Sequence, residues 1–124
     1  MRTLDGARVL LLEDEFLIAL DAEQILQELG AREVDTTSTL SEAEERARVG
    51  RYDVALLDVN VNGQMSFSLA ESLRSRGVPV VFATGYELKD RALPDIDPAL
   101  CVSKPYTSER LRQALYAALE GSQP

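Results

Sequence analysis

Two kinds of segment alternate along the chain. Short apolar, β-branched runs fall at Arg8–Leu12, Glu33–Thr37, Val54–Val59, Pro79–Thr84 and Leu100–Ser103, each too short for an independent helix and bounded by polar or turn residues. Between them, apolar residues recur with helical spacing at about Phe16–Leu29, Ser41–Val49, Phe67–Ser75, Tyr86–Leu93 and Glu109–Leu119. Gly30, Gly50, Gly77 and Gly121 each fall just past a proposed helix, where a left-handed residue closes the last turn. Val54-Ala-Leu-Leu57 and Val80-Val-Phe-Ala83 are continuously apolar, as strands covered on both faces must be. The pattern predicts an α/β domain of (βα)5 form, with right-handed crossovers, a parallel sheet and helices on both faces. Its weakest element is the fourth helix, because Pro94 and Pro98 bracket a stretch with little apolar periodicity. On the first helix, Ile18, Ala22, Ile25, Leu26 and Leu29 form a core stripe. Phe16 and Leu20 project to the other side among Glu23, Gln24 and Gln27.

Composition narrows the chemistry. A chain of 124 residues, 45% apolar and 27% charged, has the make-up of one globular domain. Its net charge of -8 argues against a phosphate-backbone partner, which clustered Lys and Arg would hold, so no nucleic acid is expected. Histidine is absent, which excludes Ser-His-Asp and Cys-His nucleophilic sites and every His-containing zinc site. Cys101 is the single cysteine and forms no internal disulfide. No apolar run reaches the ~18 residues of a membrane span, and the first residues lack a signal-peptide pattern, so a cytoplasmic protein without a membrane partner is expected.

In open α/β sheets, ligands bind outside the carboxyl ends of the strands. Those ends carry Glu13 and Asp14 after the first strand, Asp58 at the third, Thr84 at the fourth and Lys104 after the fifth. Three carboxylates drawn to one edge repel one another, and a hard divalent cation with oxygen ligands relieves that; Mg2+ suits carboxylates plus water. Taken singly, each residue has a plainer reading. Glu13-Asp14-Glu15 suits a solvated helix start, Asp58 a loop cap, Thr84 an ordinary strand position and Lys104 the surface. Their coincidence at successive strand ends argues for one site. Lys104 is also one of only two lysines beside eleven arginines.

The stretches Val9-Leu-Leu-Leu-Glu-Asp14, Ala55-Leu-Leu-Asp-Val59, Phe82-Ala-Thr84 and Ser103-Lys-Pro105, in this order, resemble the receiver domain of two-component response regulators from about Ala7 to Glu120. The resemblance implies a flavodoxin-like strand order 2-1-3-4-5. It also implies a His-to-Asp phosphorelay in which Asp58 is the phosphoacceptor and a sensor histidine kinase or histidine phosphotransfer protein is the donor. Asp14, Asp58, the main-chain carbonyl of Asn60 and Glu13, directly or through water, would bind Mg2+. Lys104 would pair with a phosphoryl oxygen, Thr84 would move to hydrogen-bond another, and Gly85 would leave the group room. The implied protein is a switch that catalyses only its own phosphorylation and dephosphorylation.

Many receivers carry an aromatic three residues before the Lys that swings with the Thr; here that position is Cys101, which alters the expected switch. Pro79-Val-Val-Phe-Ala-Thr-Gly-Tyr86 is similar to the FATGUY group of receivers, known mainly as single-domain regulators, with departures at Val80 and Glu87. Tyr86 is the candidate to take over the missing aromatic's part in the switch. Receivers dock the donor's helical bundle on the first helix, so Phe16 and Leu20, with Pro105, form the candidate docking patch. The expected organisation is a single receiver over residues 1–124, with a core at about 7–120, no output domain, and a monomer or phosphorylation-dependent dimer acting on a downstream protein. A receiver detached from a hybrid histidine kinase is a close variant. From another class, a small Mg2+-dependent phosphatase with an Asp nucleophile wants an acid two residues after it, where this chain has Asn60.

Overall fold

The computed structural model describes residues 3–85 and 97–121. In chain order the elements are β1 (Arg8–Leu12), α1 (Phe16–Glu28), β2 (Glu33–Thr37), α2 (Leu40–Val49), β3 (Val54–Asp58), β4 (Asn60–Val61), β5 (Gln64–Met65), α3 (Phe67–Ser75), β6 (Val80–Thr84), a 3-10 turn (Pro98–Leu100), β7 (Cys101–Ser103) and α4 (Ser108–Gly121). The main sheet runs β2-β1-β3-β6-β7, parallel throughout. Leaving aside the short β4–β5 pair, that is the expected order 2-1-3-4-5. The fourth helix proposed at Tyr86–Leu93 lies outside the described residues.

Alternation along the strands divides the interior in two. Val9 and Leu11 of β1, Val54 and Leu56 of β3, and Val81 and Ala83 of β6 pack with α1 and with Leu111, Leu115 and Leu119 of α4. Their neighbours Leu10, Leu12, Ala55, Leu57, Val80 and Phe82 face the other way, against Ala43 and Ala47 of α2 and Leu69, Ala70 and Leu73 of α3. Every residue of β3 and β6 is buried, which accounts for their unbroken apolar runs. The strand β2, at one edge, is more exposed, and its acids are paired: Glu33 with Arg8 at 2.6 Å, and Asp35 with Arg46 at 2.9 Å and the Tyr52 hydroxyl at 2.5 Å.

Glycine conformation departs from expectation at two places. Gly30 and Gly77 have positive φ, 108° and 83°, as left-handed helix ends require. Gly50 does not: its backbone is extended, with φ -98°. What demands glycine there is space, because a Cβ would lie 3.0 Å from the Arg46 carbonyl oxygen and from the Tyr52 ring. Gly121 is the last residue of α4 and has open space around it.

Candidate functional site

Because the strands of the main sheet are parallel, their carboxyl ends share one edge. The register Leu12↔Leu57, Asp58↔Ala83 and Thr84↔Ser103 sets the residues after β1, β3, β6 and β7 side by side. Glu13, Asp14 and Asp58 each bring one carboxylate oxygen within 4.8 Å of the others. The Lys104 ammonium sits among the acids, 3.1 Å from Asp58 Oδ2, 3.2 Å from both Glu13 oxygens and 3.5 Å from Glu15 Oε1. Its side chain is only 7% exposed, so this is a buried ion cluster.

The cluster is short of positive charge. Burial pushes the Glu13 carboxyl up to about 7, Asp58 adding to the rise while the Glu15 N–H and Lys104 oppose it. Burial likewise pushes Asp58 up to about 6, against Lys104 and with the charge of Asp14 behind it. For Lys104 burial pulls the other way, but Asp58 and Glu13 outweigh it and hold the ammonium above its ordinary value. One cation cannot balance these acids. The donor set fits a small divalent cation such as Mg2+: hard carboxylate oxygens of Asp14 and Asp58 on an open cavity, with an oxygen of the buried Glu13 within 4.8 Å of them.

That cavity, of about 410 Å³, is lined by Asp14, Asp58, Asn60, Gly85, Lys104 and Pro105 among others. Lys104 and Pro105 are joined by a cis peptide bond. Thr84 is buried at the end of β6 and does not line the cavity, although its carbonyl accepts from the Lys104 N–H at 3.0 Å. Tyr86 lies outside the described residues. Cys101 is half-buried rather than fully enclosed; it stands opposite Phe82 in the register and packs against the α2–α3 side of the core. Burial, with the charge of Asp97, raises its thiol.

On α1, Phe16 is 72% and Leu20 44% exposed, as the helical spacing predicts, while Ile18 turns inward to line the cavity. Leu17 is more exposed still, at 77%, so the apolar patch is larger than the two residues singled out from the spacing.

Three contributors were not marked by sequence patterning. Ser66 is fully buried, and its hydroxyl donates to the Asp58 main-chain carbonyl at 2.7 Å. Asn62 donates its backbone N–H to Asp14 Oδ2 at 3.2 Å. Tyr106 is buried beside Glu13, its phenol raised far above the ordinary range by burial and by the charges of Glu13, Asp58 and Asp21. Asn62-Gly63 is a hairpin-turn signal available in the sequence, whereas nothing distinguishes Ser66 from a loop serine.

Comparison with known proteins accords with this architecture. The response regulator receiver domain family model matches residues 9–116. The sensory transduction protein LytT of Bacillus subtilis (strain 168) is 27% identical over 111 residues, covering 87% of this chain and 46% of that protein. The phyllosphere-induced regulator PhyR of Methylorubrum extorquens is 28% identical over 117 residues, covering 92% of this chain and 44% of that one. The chain thus spans less than half the length of these curated relatives. Among solved structures, SdrG from Sphingomonas melonis Fr1 superposes with a TM-score of 0.79 at 36% identity, covering 96% of this chain and 99% of that one. A variant of the anti-anti-sigma factor PhyR from Bartonella quintana gives the same TM-score at 26% identity, covering 97% of this chain and 50% of that one. With its parallel sheet in the order expected and its acidic cluster at the carboxyl edge, the chain belongs to the response regulator receiver domain family of two-component signalling.

Proposed function

We propose that Asp58 is the phosphoacceptor, taking a phosphoryl group from a phosphohistidine on a partner kinase or phosphotransfer protein. The observation that carries this reading is the placement of the Asp58 carboxylate. It ends a fully buried strand, faces an open cavity, and lies 3.1 Å from Lys104 within a cluster of acids. A carboxylate oxygen of Asp58 forms the new bond to phosphorus while the donor's P–N bond breaks, the electron pair leaving with the imidazole nitrogen. Histidine is absent from these 124 residues, so the phosphohistidine lies outside them.

Asp14, Asp58, the Asn60 carbonyl and Glu13, the last directly or through water, would hold Mg2+, which when bound neutralises charge on the phosphoryl oxygens. Support for Asn60 comes from the hairpin. The pair that closes a two-residue antiparallel turn exchanges hydrogen bonds and the next does not, which leaves the Asn60 carbonyl for an ion. Lys104 already faces the nucleophile and offers its ammonium to a phosphoryl oxygen. Thr84, buried beside Gly85, turns its hydroxyl to another oxygen only after a shift, and that shift is the switch. Cys101 gives this movement a smaller partner than the family's aromatic, and Tyr86 takes over that part. Phe16 and Leu20, joined by Leu17, with Pro105 at the cavity rim, receive the donor's helical bundle.

The reading extends to a receiver of the FATGUY group, working in the cytoplasm through contacts with a downstream protein. Among the described residues no helix is long and apolar enough to cross a membrane. The test is intact-mass measurement after incubation with acetyl phosphate and Mg2+. Wild type gains the mass of one phosphoryl group and Asp58→Asn gains none; equal gain in both would overturn the assignment. Sustained turnover of unrelated phosphoesters would favour the phosphatase reading instead.

A further inference from the structure

The hairpin between β3 and α3 is tied to two acidic residues of the cluster at once, to the carboxylate of Asp14 and to the main chain of Asp58. Its strands, Asn60–Val61 and Gln64–Met65, are antiparallel and joined by Asn62-Gly63 alone. Both turn residues have positive φ, 53° and 84°, the pairing of a tight turn whose twist matches that of its strands. The Asn60 side-chain oxygen accepts from the Gly63 N–H at 2.9 Å and fixes the turn. The left-handed turn presents the Asn62 N–H outward, and there it meets Asp14 Oδ2 at 3.2 Å. At the hairpin's foot, Ser66 donates its hydroxyl to the Asp58 carbonyl at 2.7 Å and its N–H to the Val59 carbonyl at 3.0 Å. Val61, fully buried in the α2–α3 side of the core, anchors the piece between these ties.

Asp14 and Asp58 have like charge and leave neighbouring strands, so repulsion favours Asp14 swinging toward solvent. A backbone N–H donating to a carboxylate opposes that swing, and the donor here belongs to a rigid turn rather than to a mobile side chain. We propose that the segment Asn60–Ser66 is a positioning clamp that holds Asp14 and Asp58 at ion-binding separation before the ion arrives. The clamp rests on the reading of this cluster as the Mg2+ site. Asn62 acts through Asp14, and Ser66 through the backbone of Asp58; neither side chain touches the ion.

The test is isothermal titration with Mg2+ of the whole chain and of three variants, with melting in EDTA to confirm folding. Asn62→Pro deletes the N–H and closes the left-handed φ, and Ser66→Ala deletes the foot; each lowers Mg2+ affinity by about 10-fold or more, as loss of a group that orients a metal ligand does. Asn62→Gly keeps both the N–H and the permitted φ, and restores wild-type affinity. If Asn62→Pro does not fold, Ser66→Ala and Gly63→Ala, which strains the turn with no steric clash, carry the comparison. Phosphorylation by acetyl phosphate separates positioning from general damage. The Mg2+ concentration for half-maximal rate rises while the rate at saturating Mg2+ stays near wild type, whereas disrupted packing would lower the plateau too. Folded variants that bind Mg2+ as tightly as wild type would overturn the clamp alone. A wild-type chain that binds none would overturn the ion site and the clamp with it.

Discussion

Neutralising Asp58 should make the metal-free protein more stable, in a way that depends on pH. In the folded chain burial moves this carboxyl from an ordinary 3.8 to about 6. Its folded value is raised, so the contribution of the ionisable group to stability is most favourable below about 4 and is lost as pH rises through about 6. At pH 8 the ionised carboxylate therefore costs the fold about 3 kcal/mol, and at pH 5, where the folded form is largely protonated, about half of that. Asp58→Asn removes the cost. Lys104 loses a partner at 3.1 Å but keeps Glu13 at 3.2 Å, leaving a one-to-one buried pair. That lost contact reduces the net gain, to an expected ~1–3 kcal/mol at pH 8 and clearly less at pH 5. Urea titration in EDTA at both pH values measures it. Adding Mg2+ should narrow or reverse the difference, since only wild type keeps all three carboxylates of the cluster. A variant less stable than wild type at pH 8 without Mg2+, or one with the same advantage at both pH values, would refute the account of a charge-frustrated cluster.

Lys104→Met takes away the buried cation among Glu13 and Asp58; urea titration at pH 8 should show a loss of about 3–5 kcal/mol, shrinking toward pH 5 as the carboxyls take up protons. Phe16→Asp, at an exposed position, should leave stability within about 0.5 kcal/mol. It should slow phosphotransfer from the cognate donor while sparing phosphorylation by acetyl phosphate, and equal loss by both routes would count against docking. Gly50→Ala should cost about 1–3 kcal/mol by thermal or chemical unfolding, because its Cβ meets the Arg46 carbonyl and Tyr52. Gly121→Ala, in open space at a helix end, should be neutral or slightly stabilising, and matching losses at both glycines would contradict the packing argument.

Much of the fold was legible because both faces of the sheet are covered. The strands β1 and β2 begin and end where the apolar and β-branched runs do, and β3 and β6 differ from their runs by one residue, Val59 and Pro79. Leu100 belongs to a 3-10 turn rather than to β7. The β4–β5 hairpin escaped because strands of two residues carry no periodicity, although Asn62-Gly63 names the turn. Gly50 shows that a glycine after a helix can be demanded by a neighbouring ring rather than by a backbone angle. At the carboxyl edge of the sheet, Glu13, Asp14, Asp58, Thr84 and Lys104 were legible as neighbours because parallel strands deliver their ends to one side. Ser66 and Tyr106 were not, because each is marked only by what folding sets next to it, the Asp58 carbonyl for Ser66 and the Glu13 carboxylate for Tyr106.

The charged edge strand β2 also bears on how copies of this chain can meet. An edge strand offers unpaired N–H and C=O groups to any other strand, and the usual safeguard is to line it with charge. Glu33 and Asp35, held out along β2 by Arg8 and Arg46, serve as that safeguard. A second sheet approaching this border would have to break those pairs or bury them. Growth by continuing the sheet across β2 is therefore discouraged, and two copies that collide at this border find no ready template for a fibril.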